Sequence, residues 1–538
     1  MARQQITVDT ITPTSCSASS GPFYDVTYPL NGTQGWSQRG ADIDGEAADD
    51  GGYSAFLKYS VSLSSNGSIM AIGAPFNDGA DTNAGHVRIY EYSGSSWIQK
   101  GADIDGLADE YSGHSVSLSS DGLTVAIGAT EAGPFDTSNG TGEPGHVRVY
   151  EWNSGTSAWD QKGADIDGEA GNDWSGYSVS LSSDGTIVAI GARYNDGAAN
   201  GSGHVRVYEY SGSSWSQVGA DIDGDPDSDL SGWSVSLSSD GTIVAIGAPF
   251  NDDAAENAGH VRVYEWNSGT SAWDQKGADI DGEASVSDYS GYSVSLSSDG
   301  SIVAIGAYYN DGGGTNSGHV RVYEWNSGTS AWDQKGSDID GEAAGDESGI
   351  SVSLSSDGSI VAIGAPFNDG AGNNAGHVRV YEWNSGTSSW DQNGGDIDGE
   401  AANDYSGWNV SLSSDGTIVA ISAPFNDGTD TNAGHVRVYQ EDAGAVVTTV
   451  DAQVGDWVYV NHEEAGNDGN VLSVYTYQVT AIVDADTLTL RWISATNGYV
   501  DDSPCDLCDG TGSSASCGGK APHTLKRDLG SAYLMFVD

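Results

Sequence analysis

The stretch SGYSVSLSSDGTIVAIGA at Ser175–Ala192 returns in close variants along most of the chain. Aligned on itself, the sequence gives seven units between Gly35 and Gln440. They open at Trp36, Trp97, Trp159, Trp215, Trp273, Trp332 and Trp390, with spacings of 56 to 62 residues. A repeat of this length holds a small antiparallel sheet with its loops, and such a sheet must stack on its neighbours to bury its apolar faces. Within the third unit, YSVSLS alternates in polarity and meets Asp184-Gly185, which reads as a two-residue hairpin turn. TIVAIGA follows as an apolar strand, then a loop, then GHVRVYEY, then a short turn into WSQVG. Four strands in that order predict a propeller blade.

The two ends of the repeat predict how the ring closes. The first unit begins with a tryptophan strand, whereas the last stops at Gln440 without one. The Trp36 strand therefore serves as the outer strand of the last blade, which removes two exposed sheet edges. The predicted fold is all-β: a seven-bladed β-propeller over 35–440 closed by an N-terminal strand. An extended arm over 1–34 and a small β-barrel-like domain over 441–538 flank it. The repeat unit is similar to the FG-GAP repeats of integrin α-subunit propellers. The likeness lies in its Gly-aromatic-Ser-Val start, its Gly-x-Val-x-Val-Tyr strand and its Gly-Ala-Pro triplets at Gly73–Pro75, Gly247–Pro249 and Gly364–Pro366. Ser422–Pro424 is a near match. The calcium loop of that family, with spaced acids in the first hairpin, is replaced here by Ser-Ser-Asp-Gly, so its sites do not carry over.

Charge narrows the partners. With 77 Asp plus Glu against 19 Lys plus Arg, the formal net charge is -58. Such a surface repels nucleic-acid phosphates and anionic lipid, so neither nucleic acid nor membrane insertion is expected. MARQQITVDTITPTS opens without an apolar stretch, so no ordinary secretory signal is read there.

Blade geometry sorts the loops. The short SSDG and NSGTSA turns share one face. The long links, such as APFNDGADTNAG, and the acidic segments leading to the next blade share the other. The insertions AADDGGYSAFLK and TEAGPFDTSNGTGEP fall on that long-loop face, where binding is expected. Asp-Ile-Asp-Gly recurs in every unit, for example at Asp42/Asp44 and Asp165/Asp167; these acids are candidate calcium ligands or a turn satisfied by arginine and water. Gly-His-Val-Arg recurs as well, placing His86 and Arg88, or His260 and Arg262, in one register. That ring reads as scaffold, with the arginines reaching carboxylates of a neighbouring loop, and Trp36 and Trp390 read as scaffold too. Near the C-terminus, CDLCDGTG resembles one half-knuckle of the zinc region of J-domain co-chaperones. Cys505, Cys508, Cys517 and His523 are accordingly candidate zinc ligands, with a disulfide, Cys16 included, or free thiols as the alternatives.

No catalytic residue is assigned, because every candidate acid or base comes in multiple copies. The sequence leads to a non-enzymatic display or binding protein, extracellular or on the surface of an assembled particle such as a marine virion. Other structural subunits are expected to hold it through 1–34 and 441–538, with the acidic face outward. The alternatives are an extracellular adhesin binding a surface glycan or calcium and, behind it, a glycan-active enzyme.

Overall fold

The computed structural model describes residues 35–46, 60–131, 143–225, 228–283 and 285–442. It also describes the strand backbones at 4–6, 10–17, 21–27, 457–464, 471–484, 487–496 and 532–537. The chain divides into two units, Trp36–Glu441 and the joined ends Met1–Gly35 with Asp442–Asp538.

Trp36–Glu441 is a ring of seven small antiparallel sheets. We number the blades from the first complete one. Blade 1 spans Ser60–Asp105, blade 2 Ser112–Asp167, blade 3 Ser175–Asp223, blade 4 Ser234–Asp281, blade 5 Ser293–Asp340 and blade 6 Ser351–Asp398. Blade 7 is made of Val410–Leu412, Ile418–Ala423 and His435–Glu441, completed by Trp36–Gln38 from the other end of the chain. The predicted closure is present, with Tyr439 facing Gln38 and Glu441 facing Trp36.

Two local details differ from the sequence reading. The Asp-Ile-Asp segment was placed in a link between blades, yet each Ile-Asp pair is a two-residue strand on the outer edge. In blade 1, Ile104–Asp105 pairs with Val87 and His86 while Trp97–Gln99 pairs with Tyr92 to Tyr90, so one outer strand runs in two pieces. The isoleucine is what pins the second piece, since Ile104 is buried and its neighbours are not. The SSDG hairpin is also not a two-residue turn. Only the glycine takes a positive φ, +65° at Gly185, and Ser182 N–H bonds Ile187 O at 2.8 Å across a wider loop. Asp184 does its work through its side chain, accepting from Thr186 N–H at 3.0 Å and Ser182 Oγ at 2.8 Å.

The second strand of each blade, such as Ile243–Ala248, is buried along its whole length because neighbouring blades cover both of its faces. The core is therefore made between blades. One cluster joins Val147, Val149 and Ile166 of blade 2 to Val179, Leu181, Val188 and Ile190 of blade 3. Each such aliphatic contributes about 1.5–3 kcal/mol on burial.

Polar staples lock the same interfaces. The second serine of each first strand accepts from a leucine N–H of the next blade, as Ser117 does from Leu181 at 2.9 Å and Ser411 from Leu63 at 3.0 Å. At the hairpin turns, Ser65 N–H bonds Ser120 O, Ser120 bonds Ser183, and the series continues through Ser239, Ser298, Ser356 and Ser414 back to Ser65. That is a closed ring of seven backbone hydrogen bonds. Trp36 and Trp390 belong to an outer ring in which each indole N–H bonds a carbonyl of the preceding blade: Asn393 O at 2.9 Å and Lys335 O at 2.7 Å.

The ends of the chain form a second, seven-stranded antiparallel sheet. Its order is Gln4–Ile6, Ala532–Val537, Trp457–Glu464, Val471–Asp484, Thr487–Thr496, Gly21–Thr27 and Thr10–Ser17. Residues of the expected arm thus pair with strands of the expected C-terminal domain, Phe23 to Thr27 against Arg491 to Thr487.

Candidate functional site

Two polar or aromatic arrangements stand on the long-loop face. The first is repeated in every blade, where the third strand begins. His86, His204, His260, His319, His377 and His435 are buried, and burial, followed by the adjacent arginine, lowers each imidazole to a pKa of about 4. They are neutral at physiological pH. The contacts of 3.7 to 4.0 Å from several Nδ1 atoms to acids are accordingly not ion pairs there.

The arginine two residues on crosses to the preceding blade. Its acid partner is the residue that follows Asp-Ile-Asp-Gly: Glu46 for Arg88 at 3.4 Å, Glu342 for Arg379 at 3.6 Å and Glu400 for Arg437 at 3.3 Å. Leu107 stands at that position before blade 2, and Arg148 takes Glu110 instead at 2.9 Å, together with Asp165 of its own blade at 3.1 Å. Arg262 grips Asp225 of the preceding segment and Asp279 of its own blade. The arginines thus reach the neighbouring loop, through the acid after the motif more often than through the motif itself.

The Asp-Ile-Asp pairs come together with histidine. Asp42 and Asp44 lie beside His435, and Asp165 and Asp167 beside His146. Burial, then Asp42, raises the pKa of Asp44. Between blades 7 and 1, Asp44, His86, Arg88, Tyr90 and His435 line a small pocket. The donor set of imidazole with carboxylate suits a transition ion better than calcium, which takes oxygen throughout. Cys505, Cys508, Cys517 and His523 lie outside the described residues, as do the whole AADDGGYSAFLK insertion and most of TEAGPFDTSNGTGEP.

The second arrangement sits where the first strands converge at the axis of the ring. The residue after each Ser-Gly packs inward: Tyr177, Trp233, Tyr292 and Ile350 form one buried cluster, with Trp174, Phe250, Tyr308 and Phe367 half-buried around it. The rings meet edge to edge, Tyr177 to Trp233 and Trp233 to Tyr292 both at 5.1 Å between centroids. The residue before each Ser-Gly is held in the left-handed region, with φ from 54° to 57° at Tyr111, Trp174, Leu230, Tyr289, Glu347 and Tyr405. Six copies of a conformation that costs of order 1 kcal/mol or more for a non-glycine residue mark a position fixed by its surroundings.

Symmetry breaks at this apron, which the sequence reading missed by treating every acid and base as one of many. Arg193 stands where four other units carry the proline of Ala-Pro-Phe, and two carry Thr130 and Tyr308. Its guanidinium lies 3.8 Å from the centroid of Tyr177, 4.2 Å from Trp233 and 4.6 Å from both Trp174 and Tyr194. Glu347 stands where other units place an aromatic residue or leucine, and burial alone pushes its carboxyl up to about 8. The signal was present in the sequence as IGARYNDG and GDESG among copies reading otherwise.

Below the apron, Asn195, Asn251, Asn310, Asn368 and Asn426 each donate to a buried aspartate preceding the first strand, at 2.9 to 3.0 Å. Among these acids Asp229 is raised to about 6, chiefly by burial.

Ring, blade and repeat define the class: a closed β-propeller scaffold with its variable chemistry on one face. The FG-GAP repeat model matches residues 273–323. That match and the seven-bladed ring together fit an FG-GAP-like propeller repeat protein. A search of curated proteins finds no match. Among solved structures, a putative 6-phosphogluconolactonase from Bacteroides uniformis is 11% identical with a TM-score of 0.46, covering 72% of this chain and 96% of that one. The periplasmic gluconolactonase PpgL of Pseudomonas aeruginosa is 16% identical with a TM-score of 0.40, covering 71% and 95%. Sqt1 of Saccharomyces cerevisiae is 13% identical with a TM-score of 0.39, covering 86% and 98%. Likeness at this level carries no argument about activity.

Proposed function

We propose that this protein is a non-enzymatic, extracellular binding propeller whose long-loop face takes a glycan at the axial aromatic apron. The observation that carries the reading is the rim of half-buried Trp174, Phe250, Tyr308 and Tyr309 with exposed Tyr194 around a buried aromatic plug, with Arg193 and Glu347 as its two asymmetric polar groups. Flat aromatic faces stack on the apolar faces of sugar rings, and a few convergent polar groups fix orientation. A hydrolytic site needs two carboxyl groups flanking the bond. Burial is the sole cause of the Glu347 shift, with no neighbouring carboxylate contributing, which favours binding over hydrolysis. A glycan array followed by titration calorimetry tests this. Tyr194→Ala and Tyr309→Ala should weaken the best ligand at least tenfold while leaving the melting temperature nearly unchanged. An array without a ligand, or variants that bind as the parent does, would overturn it.

Display on a particle, such as a virion, is the second reading. Among the described residues the terminal sheet ends in the edge strands Gln4–Ile6 and Thr10–Ser17, which offer backbone groups to a neighbouring subunit. Against it, the strand Gly21–Thr27 of the expected arm already pairs within the chain, with Thr487–Arg491. A native mass well above the 55.5 kDa of one chain favours display, and a monomer favours the free binding protein.

A further inference from the structure

Blade 4 differs from its neighbours at the histidine station. The loop between its second and third strands reads Asn251-Asp252-Asp253, where other units read Asn-Asp-Gly with Gly79, Gly197, Gly312, Gly370 or Gly428 in that place. The extra carboxylate changes the composition of the cluster. Asp225, Asp253, His260 and Asp279 each present a ligand atom, all within 4.8 Å of one another. The comparable groups at Asp42, Asp44 and His435, and at Glu46, His86 and Asp103, hold three donors.

Charge and an orphaned nitrogen both point to a missing partner. Counting only the acids and Arg262, three carboxylates against one guanidinium leave two excess negative charges at the station. The side chain of His260 is 3% exposed, and its Nδ1 faces Asp279 Oδ2 at 3.9 Å without any hydrogen-bond partner. A buried polar nitrogen left unpaired costs about 1–3 kcal/mol, and two excess charges in a half-buried site repel each other. A divalent cation satisfies both conditions at once.

We propose that Asp225, Asp253, His260 and Asp279 form a binding site for a divalent first-row transition ion, located at the junction of blades 3 and 4. One imidazole with three carboxylates is a borderline donor set that suits Mn2+ or Zn2+ and disfavours Ca2+. Arg262 donates to both carboxylate oxygens of Asp225 and to Asp279 Oδ2, and so orients the two acids, whose remaining lone pairs face the ion. The proposal stands apart from the glycan reading, because the station joins the segment after blade 3 to the second loop, third strand and outer edge of blade 4 and uses none of the axial aromatics.

Mn2+ is the probe of choice because it discriminates against thiolate ligands elsewhere in the chain. Binding to the full-length protein is counted by electron paramagnetic resonance of free Mn2+ and compared with Asp253→Gly, which restores the residue the other blades carry. The expected result is one fewer bound ion, or an affinity at least tenfold weaker, in the variant, together with loss of the Mn2+-induced rise in melting temperature. His260→Gln should behave likewise, and excess Ca2+ should not displace the ion. Equal Mn2+ binding by parent and Asp253→Gly, displacement by equimolar Ca2+, or no Mn2+ bound by the parent would each overturn the proposal.

Discussion

Serine is the residue on which the blade interfaces turn, and its two positions in SVSLS do different work. The first donates from Oγ to a glycine carbonyl of the next blade, as Ser178 does to Gly232 O at 2.8 Å, and the second accepts from a leucine N–H, as Ser180 does from Leu237 at 3.0 Å. Ser180→Ala strands that N–H in a half-buried setting and is expected to lower stability by about 1–2 kcal/mol in denaturant melts, whereas a change in an exposed turn residue such as Ser214 should cost almost nothing. Glycine is used as sharply. A Cβ on Gly191 would sit 2.1 Å from Gly232 O, so the second strand of one blade passes the entry of the next with no room for a side chain. Histidine gives a pH prediction. Six buried imidazoles titrate near 4 in the folded protein against 6.5 when unfolded, so the unfolded chain takes up protons first as pH falls. Each contributes stability that is fully present above 6.5 and is lost between 6.5 and 4, at about 1.4 kcal/mol per pH unit. Asp229 and Glu347 act in the opposite sense, since their raised pKa values add stability as pH falls through 6 and 8. Six groups against two predict a denaturation midpoint that drops steeply from pH 6.5 to 4.5. A flat profile would mean that the histidines are not held neutral.

At the scale of strands, the seam of blade 7 is unlike the other six. Elsewhere a short turn tethers the outer strand to the third strand, as NSGTSA does between His260–Asn267 and Ala272–Gln275. Trp36–Gln38 has no such tether to His435–Glu441 and depends on its own contacts, the indole bond to Asn393 O among them. Losing a contact matters more where the chain does not hold the partners close. Trp36→Ala is therefore expected to destabilise more than Trp273→Ala, and to expose the Gly35–Gln38 segment to protease under conditions where Trp273→Ala stays resistant. Equal effects would show that the seam is no weaker than an ordinary blade. These elements also show what sequence alone could supply. Strand order, blade number and closure were legible because the repeat supplies seven aligned examples and one surplus strand. The Ile-Asp strands were not, since two residues carry no periodicity and their pairing is decided by the burial of one isoleucine. The aromatic apron escaped for a related reason: residues far apart in sequence converge only once the first strands are gathered around an axis. Asp253 could have been found from its five glycine counterparts, because a single acid among glycines is visible without any structure.

The whole molecule carries a net charge of -58 on a scaffold whose cations are mostly engaged between blades. Repulsion among surface carboxylates destabilises the compact state and is screened by salt, the Debye length falling from about 10 Å at 0.1 M to about 3 Å at 1 M. Raising sodium chloride across that range should raise the melting temperature by several degrees. A decrease would indicate that the interblade arginine pairs, rather than surface repulsion, dominate the response to ionic strength.

The position of the seam also sets an order of events during synthesis. The strand Trp36–Gln38 leaves the ribosome early, while its partner at Tyr439–Glu441 is about 400 residues away in the chain. At roughly 5–20 residues per second, that strand waits about 20–80 s for the edge it must complete. Six blades can form in sequence in the meantime, each covering the last, but the ring of serine turns cannot shut until Ser414 meets Ser65. A nascent chain of this protein is therefore an open arc with a sticky edge at each end for most of its translation. Shutting the arc is the last act of propeller folding.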